Sequence, residues 1–482
     1  MEQKLNRIIE KLRDDFNVPS IMVSVHKDGE TFFCGGGLAD VENNLTATPD
    51  TIYAIASASK AFAATALCIL ADEKKLNLDD TVKKHMPDFE MHDAYLSENL
   101  TIRDALGHRT GLPRHDLTWL HKPDITMYDL VKRLKYLPAA FPLRTRMHYQ
   151  NHMFVLASVL IEKISGKRWQ DFIKEKILNP LGMTSTYTGA GEFRDKNLKT
   201  ASQPYKFIDG KVTKIPFNNI DIMGSCGCIN STVRDLDKWS RLQLGKGEFE
   251  GKRIYSEEMA KNLHNPQMII KAKEMFPYEF DESDFTSYGQ GWFIESYRGH
   301  KLVYHGGTIE GYKSLVGFLP NNGLAFSVLT NLNQNQTPMA LGYYMCDMAL
   351  GLPEIDWGAR FLDFMDASEA QAQKTLQEFK SKAANAAPPT HPLAEYAGTY
   401  THDGYGSFDI ALENNTLSIK IANQDCPLIP VGYDNFIVDY QRNKLCIPLK
   451  FDYDADGKIC KLSAKLDQLC EMIELKKVWP KD

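Results

Sequence analysis

Ser57-Ala58-Ser59-Lys60 sets a hydroxyl and an amine three residues apart. Residues at i and i+3 share one face of a helix, so the pair converges if this stretch is helical. A serine whose proton passes to a neighbouring lysine becomes a nucleophile without any histidine. The stretch opens a run from Ala56 to Lys75 that is rich in Ala and Leu and has no Gly or Pro. Both are strong helix formers, and the run predicts one helix with Ser57 at its mouth. Unsatisfied N–H groups and the positive dipole end there favour an anion forming at the hydroxyl. Lys60 serves as base if burial depresses its pKa. The same spacing recurs at Ser24-Val25-His26-Lys27, within a β-branched run that reads as a strand. A strand sends residues three apart to opposite faces, so that copy cannot converge.

Three further segments carry groups that would serve such a serine. His148-Tyr149-Gln150-Asn151 stands just ahead of a helix expected at 153–164. A tyrosine beside a lysine relays a proton or is held as phenolate, and an asparagine amide binds a carbonyl or orients the lysine. By itself, Asn151 reads first as a helix N-cap and Tyr149 as a half-buried aromatic. Tyr304-His305-Gly306-Gly307-Thr308 places two glycines after a strand, which admits a closely approaching substrate backbone or simply ends the strand in a turn. Met223-Gly224-Ser225-Cys226-Gly227-Cys228 offers small residues for a pocket floor. Its two thiols lack the partner ligands a zinc site needs and read as packed thiols, and His148 and His152 read as structural.

Positioning these groups falls to strands at both ends of a helical middle. Residues 1–17 form an amphipathic helix and 18–55 read as strands and turns, while 80–200 are helical in pattern. Strands return near 288–294, 301–305, 313–319 and 324–330, the last two joined by the hairpin turn Pro320-Asn321-Asn322-Gly323. The expectation is an α+β fold: an antiparallel sheet flanked by helices, a helical subdomain beside it, and the site in the cleft between. A polar helical stretch at 366–386 and the stiff Pro388-Pro389-Thr390-His391-Pro392 lead to short strands at 396–401, 406–412, 416–421, 435–440 and 445–452. These predict a small all-β sandwich or barrel. The division is then a domain at 1–355 that would hold the site, a helical and Pro-rich linker at 356–392 and an all-β domain at 393–482.

With 482 residues the chain exceeds one ordinary core, and 43% hydrophobic with 24% charged residues is a globular composition. A net charge of −6 argues against a broad nucleic-acid footprint. No 18-residue apolar run exists to span a membrane, and the N-terminus lacks a signal-peptide layout. Nine scattered cysteines read as reduced thiols, giving a cytoplasmic address. Nothing in the sequence calls for a cofactor or a metal.

Ser-x-x-Lys, then Tyr-x-Asn about 90 residues on, then His-Gly-Gly, is an order that resembles the serine beta-lactamase and penicillin-binding-protein superfamily. The resemblance is closest to its class C beta-lactamase, D-aminopeptidase and esterase branch. Thr101-Ile102-Arg103-Asp104-Ala105-Leu106-Gly107-His108, Asn179-Pro180-Leu181-Gly182-Met183 and Tyr288-Gly289-Gln290-Gly291-Trp292 agree, and residues 5–350 are covered. Leu393 to Tyr400 resembles a lipocalin-like domain appended in this branch. The resemblance implies a serine acyl hydrolase with Ser57 as nucleophile and with Lys60 and Tyr149 moving protons. Asn151 would bind substrate, and the N–H groups of Ser57 and Thr308, after His305, Gly306 and Gly307, would form the oxyanion hole. Substrates would be small molecules or short peptides, cut at an amide or ester. Alternatives are beta-lactamase or DD-peptidase activity, or a silent binding protein on the same fold. His305 stands where beta-lactam enzymes carry lysine, and a neutral histidine captures an anion weakly. The C-terminal domain is expected to cap the cleft or to join subunits in a homo-oligomer. Loops at 115–145 and 255–285 would set specificity.

Overall fold

The computed structural model describes residues 1–120, 125–194, 200–271, 280–384, 386–421, 424–440 and 445–479. Residues 121–124 and 272–279, within the two loops expected to set specificity, lie outside the described residues. The chain forms two compact units. The first comprises Met1–Phe89, Glu98–Thr110 and Leu143–Asp363; the second comprises Glu90–Ser97, Gly111–Pro142 and Phe364–Asp482.

The first unit begins with helix α1 (Glu2–Asp15), whose Leu5, Ile9 and Leu12 are buried at helical spacing. Strands β1 (Ser20–Lys27), β2 (Glu30–Asp40) and β3 (Leu45–Thr46) follow, then helices α2 (Lys60–Asp72) and α3 (His152–Ser165). Six strands return late in the chain: β4 (Met268–Ile270), β5 (Ser283–Tyr288), β6 (Phe293–Tyr297), β7 (His300–Ile309), β8 (Tyr312–Leu319) and β9 (Leu324–Thr330). All nine strands join one antiparallel sheet in the order β4-β5-β6-β7-β8-β9-β1-β2-β3. The early and late strands of this unit thus share a sheet, as their patterns predicted.

The Ser24–Lys27 copy of the motif lies in β1, where Ser24 sits opposite Ser327 with their hydroxyl oxygens 2.6 Å apart in the core. Lys27 instead pairs with Asp28 at the surface end. The expected single strand at 288–294 is two strands with a turn between them. Gly291 breaks it at φ 75, and the turn lies so close to α2 that a β-carbon on Gly291 would sit 3.1 Å from the Lys60 carbonyl oxygen. Residues 60–70 of α2 are all buried, and so are the first ten of α3. Burial on all sides makes α3 a core helix. Gly166, at φ 72, ends it. No helix among the described residues is long and apolar enough to cross a membrane.

In the second unit, eight strands close into an antiparallel barrel: β10 (Gly398–His402), β11 (Gly406–Glu413), β12 (Thr416–Ile421), β13 (Gln424–Gly432), β14 (Asn435–Tyr440), β15 (Leu445–Tyr453), β16 (Ile459–Ala464) and β17 (Ile473–Lys477). Tyr400 pairs back to Lys477, which shuts the ring. Strand β13 escapes the sequence pattern because Pro427 and Pro430 interrupt it, although Cys426 and Leu428 alternate inward. Within the same unit, His115 of the Gly111–Pro142 segment ties to the barrel. Its Nδ1 lies 2.6 Å from the Tyr405 hydroxyl, and its backbone N–H donates to Asp467 at 3.0 Å.

Candidate active site

Ser57 stands on a 3-10 turn, Ala56–Ser59, and Lys60 is the first residue of α2. The regular helix therefore starts three residues later than the Ala- and Leu-rich run suggests. The cause lies just upstream. Ile55 is fixed from both sides: its N–H donates to the Ile229 carbonyl at 3.1 Å, and its carbonyl accepts from Ser314 Oγ at 2.7 Å. To turn from this clamp the chain puts Ala56 at φ 46, a left-handed conformation costly for any residue with a β-carbon. Ser57 sits at the tip of the turn.

Lys60 is buried with its amine at the centre of the site. Nζ lies 3.1 Å from Ser57 Oγ, 2.9 Å from Asn151 Oδ1, 3.0 Å from the Cys226 carbonyl and 3.1 Å from Cys226 Sγ. It also hydrogen-bonds the Tyr149 side chain, and it stands 4.9 Å from the centre of that ring. Burial alone drives the amine toward its neutral form, but its interactions with Cys226 and Tyr149 outweigh that, and the Lys60 pKa is raised. The depression expected from burial is therefore corrected: Lys60 is an ammonium that favours anions on its neighbours.

Asn151 begins α3, yet its side chain caps nothing; Oδ1 turns to Lys60 instead. The capping reading of Asn151 gives way to the lysine-orienting one. Tyr149 is 6% exposed, its ring 4.4 Å from that of His108 and parallel to Phe293. The backbone around it is pinned by His108, whose carbonyl accepts from His148 N–H at 2.9 Å and whose Nδ1 accepts from Gln150 N–H at 3.2 Å.

His305 is buried with both ring nitrogens engaged. Nδ1–H donates to the Gly306 carbonyl at 2.7 Å, so Nε2 accepts from the Tyr288 hydroxyl at 3.0 Å. Burial, helped by the charge on Lys60, pushes its pKa down to about 3, which makes it a neutral imidazole. Beyond His305, β7 outruns β6. Pairing with β6 ends at Tyr304, while pairing with β8 continues to Ile309. The outer edge of 305–309 faces the Ser57 turn, and Gly307 packs directly on Ile55. Thr308 follows with an exposed side chain.

The fold thus gathers Ser57, Lys60, Tyr149, Asn151, His305, Gly306 and Gly307, with Thr308 next along the strand. The sequence reading gave no role to three neighbours: Tyr288, which fixes His305; His108, which fixes the Tyr149 segment; and Cys226. Cys226 was read as a packed thiol, and only the tertiary fold brings it to Lys60, 166 residues away.

The Beta-lactamase family matches residues 5–345, and a domain of unknown function, DUF3471, matches 382–477. An unguisins hydrolase of Aspergillus campestris is 29% identical over 486 residues, covering 95% of this chain and 88% of its own length. Protein flp of Staphylococcus aureus is 27% identical over 354 residues, covering 70% of this chain and 64% of its own. Among solved structures, an octameric penicillin-binding protein homologue from Pyrococcus abyssi aligns with TM-score 0.66 at 24% identity, covering 98% of this chain and 99% of that one. A D-amino acid amidase from Ochrobactrum anthropi aligns with TM-score 0.59 at 23% identity, covering 72% of this chain and 99% of that one.

Proposed function

This chain belongs to the beta-lactamase family, and on that premise we propose a serine acyl hydrolase that cuts an amide or ester bond through an acyl-enzyme. The observation that carries the reading is the 3.1 Å approach of Lys60 Nζ to Ser57 Oγ, with Tyr149 against the same amine. Lys60 as ammonium stands against the Tyr149 oxygen, which takes the Ser57 proton as Oγ attacks the carbonyl. The oxyanion forms against the N–H groups of Ser57 and Thr308. Tyr149 returns the proton to the leaving amine or alcohol. Water then attacks the acyl-Ser57 ester, passing a proton back through Tyr149, and the acid departs. Asn151 holds the substrate carbonyl. The neutral His305 removes the positive charge that would capture a substrate carboxylate. This favours uncharged amides and esters, in the manner of a D-aminopeptidase, amidase or carboxylesterase, over beta-lactams. The hydrolase and amidase named above point the same way. We also infer a cytoplasmic address, which nine free cysteines support. The hydrolase reading also allows a homo-oligomer, as the octameric neighbour forms.

Labelling with a fluorophosphonate tests the chemistry. Covalent addition mapped to Ser57, insensitive to chelators and absent from Ser57→Ala, is the expected result; no addition to the folded protein overturns it. Turnover of D- and L-aminoacyl amides, short-chain esters and a chromogenic cephalosporin then ranks the substrate classes.

A further inference from the structure

We propose that Cys226 is a positioning residue for the acyl transfer, controlling where Lys60 directs its protons; this rests on the hydrolase reading above. An ammonium has three N–H bonds. Five acceptors stand around Nζ: Ser57 Oγ, Asn151 Oδ1, the Cys226 carbonyl, Cys226 Sγ and the Tyr149 side chain. Acceptors outnumber protons, so the strength of each decides the outcome. The Asn151 and Cys226 carbonyls, at 2.9 and 3.0 Å, hold two of them. A thiol sulfur is a weak acceptor, so the third stays directed to the Ser57 and Tyr149 side, where the proton transfers occur. The thiol has its own acceptor in Asn151 Oδ1, at 3.2 Å. Two donors, Nζ and Sγ, meet at that one atom, which fixes the amide with Oδ1 toward Lys60.

The segment is built to hold this sulfur. Gly224 bends the chain at φ 52, ψ −141. Ser225 locks onto α3, its hydroxyl 2.7 Å from that of Ser158 and its N–H donating to the same oxygen at 2.9 Å. Cys228 Sγ–H closes the turn onto the Gly224 carbonyl at 2.8 Å. The helix that bears Asn151 at its start therefore also anchors Cys226. The titratable groups facing Lys60 are Tyr149 ahead of α3, Cys226 on this turn and His305 on β7, with Tyr288 of β5 behind Tyr149 and Cys226.

The test is kcat/KM against pH for p-nitrophenyl acetate, using the full chain, Cys226→Ser and Cys226→Ala, with active sites counted by fluorophosphonate. A serine oxygen competes for the third proton and draws it away from Tyr149, the base. The Cys226→Ser profile therefore has its acid limb displaced upward by roughly half a pH unit or more, with a several-fold lower kcat. Cys226→Ala removes an acceptor, displaces the limb downward, and raises KM as the Asn151 amide loosens. A merely structural thiol would lower melting temperature and active-site count without moving the limbs. Labelled enzymes with three superimposable profiles overturn the proposal alone. A wild-type protein that takes no fluorophosphonate overturns the hydrolase reading and this proposal with it. Two variants are used so that loss of fold in one leaves the other to decide.

Discussion

Gly307 lies so near Ile55 that a β-carbon on it would fall 2.0 Å from the Ile55 carbonyl oxygen. That contact sets the distance between the edge of β7 and the turn that carries Ser57. In Gly307→Ala the strand or the turn must move. A displacement of about 1 Å between reacting groups costs on the order of 100-fold in rate. The expected result is a loss of that size in kcat/KM together with a lower melting temperature. At Gly306 the nearest atom to such a carbon is 3.3 Å away, a tight contact rather than an overlap, so Gly306→Ala melts above Gly307→Ala.

Tyr149→Phe keeps the ring against His108 and Phe293 but removes the hydroxyl that meets Lys60. General base catalysis contributes about 10²- to 10⁴-fold, and kcat should fall within that range while the melting temperature holds. Slower fluorophosphonate labelling of Ser57 accompanies it. Wild-type labelling rates in the variant would remove Tyr149 from the proton path.

Ser24→Ala separates the working motif from its copy. Turnover stays unchanged. The buried Ser327 hydroxyl, 2.6 Å from Ser24 Oγ, loses a partner, and unfolding in urea should show a loss of about 1–3 kcal/mol.

Stability should fall on both sides of weakly acid pH, for opposite reasons. Burial pushes His264 and His305 down to about 3 and Glu295 up to about 7. An unfolded histidine takes its proton near 6.5, whereas these fold as neutral bases. Their stabilisation is complete above 6.5 and is lost as pH falls toward 3. An unfolded glutamate releases its proton near 4.5, while Glu295 keeps it in the fold. Its stabilisation is complete below 4.5 and is lost as pH rises to 7. At about 1.4 kcal/mol per pKa unit, each group is worth roughly 3–5 kcal/mol. Denaturation curves from pH 4 to 8 should therefore flatten on the acid side in His264→Gln and on the neutral side in Glu295→Gln. Unchanged slopes would contradict the burial assigned to these groups.

The sequence shows most clearly those features that one element carries by itself. Ser57 and Lys60 are three residues apart, and their convergence follows from helical geometry. The hairpin at 320–323 and the halves of the main sheet follow from local alternation. Features set by distant partners are hidden. The Ser57 turn is a 3-10 turn because Ile229 and Ser314 clamp Ile55. Asn151 abandons its cap because an amine 91 residues earlier reaches it. Lys60 stays charged because a thiol and a phenol arrive from two other segments. No window of sequence contains these pairings.

The ring closed by Tyr400 and Lys477 has a consequence for how the C-terminal domain meets other molecules. Its eight strands already bond to one another all the way round, so its barrel leaves no backbone rim for another chain to extend. A partner chain therefore cannot join it by adding a strand and must be met by its side chains or loops.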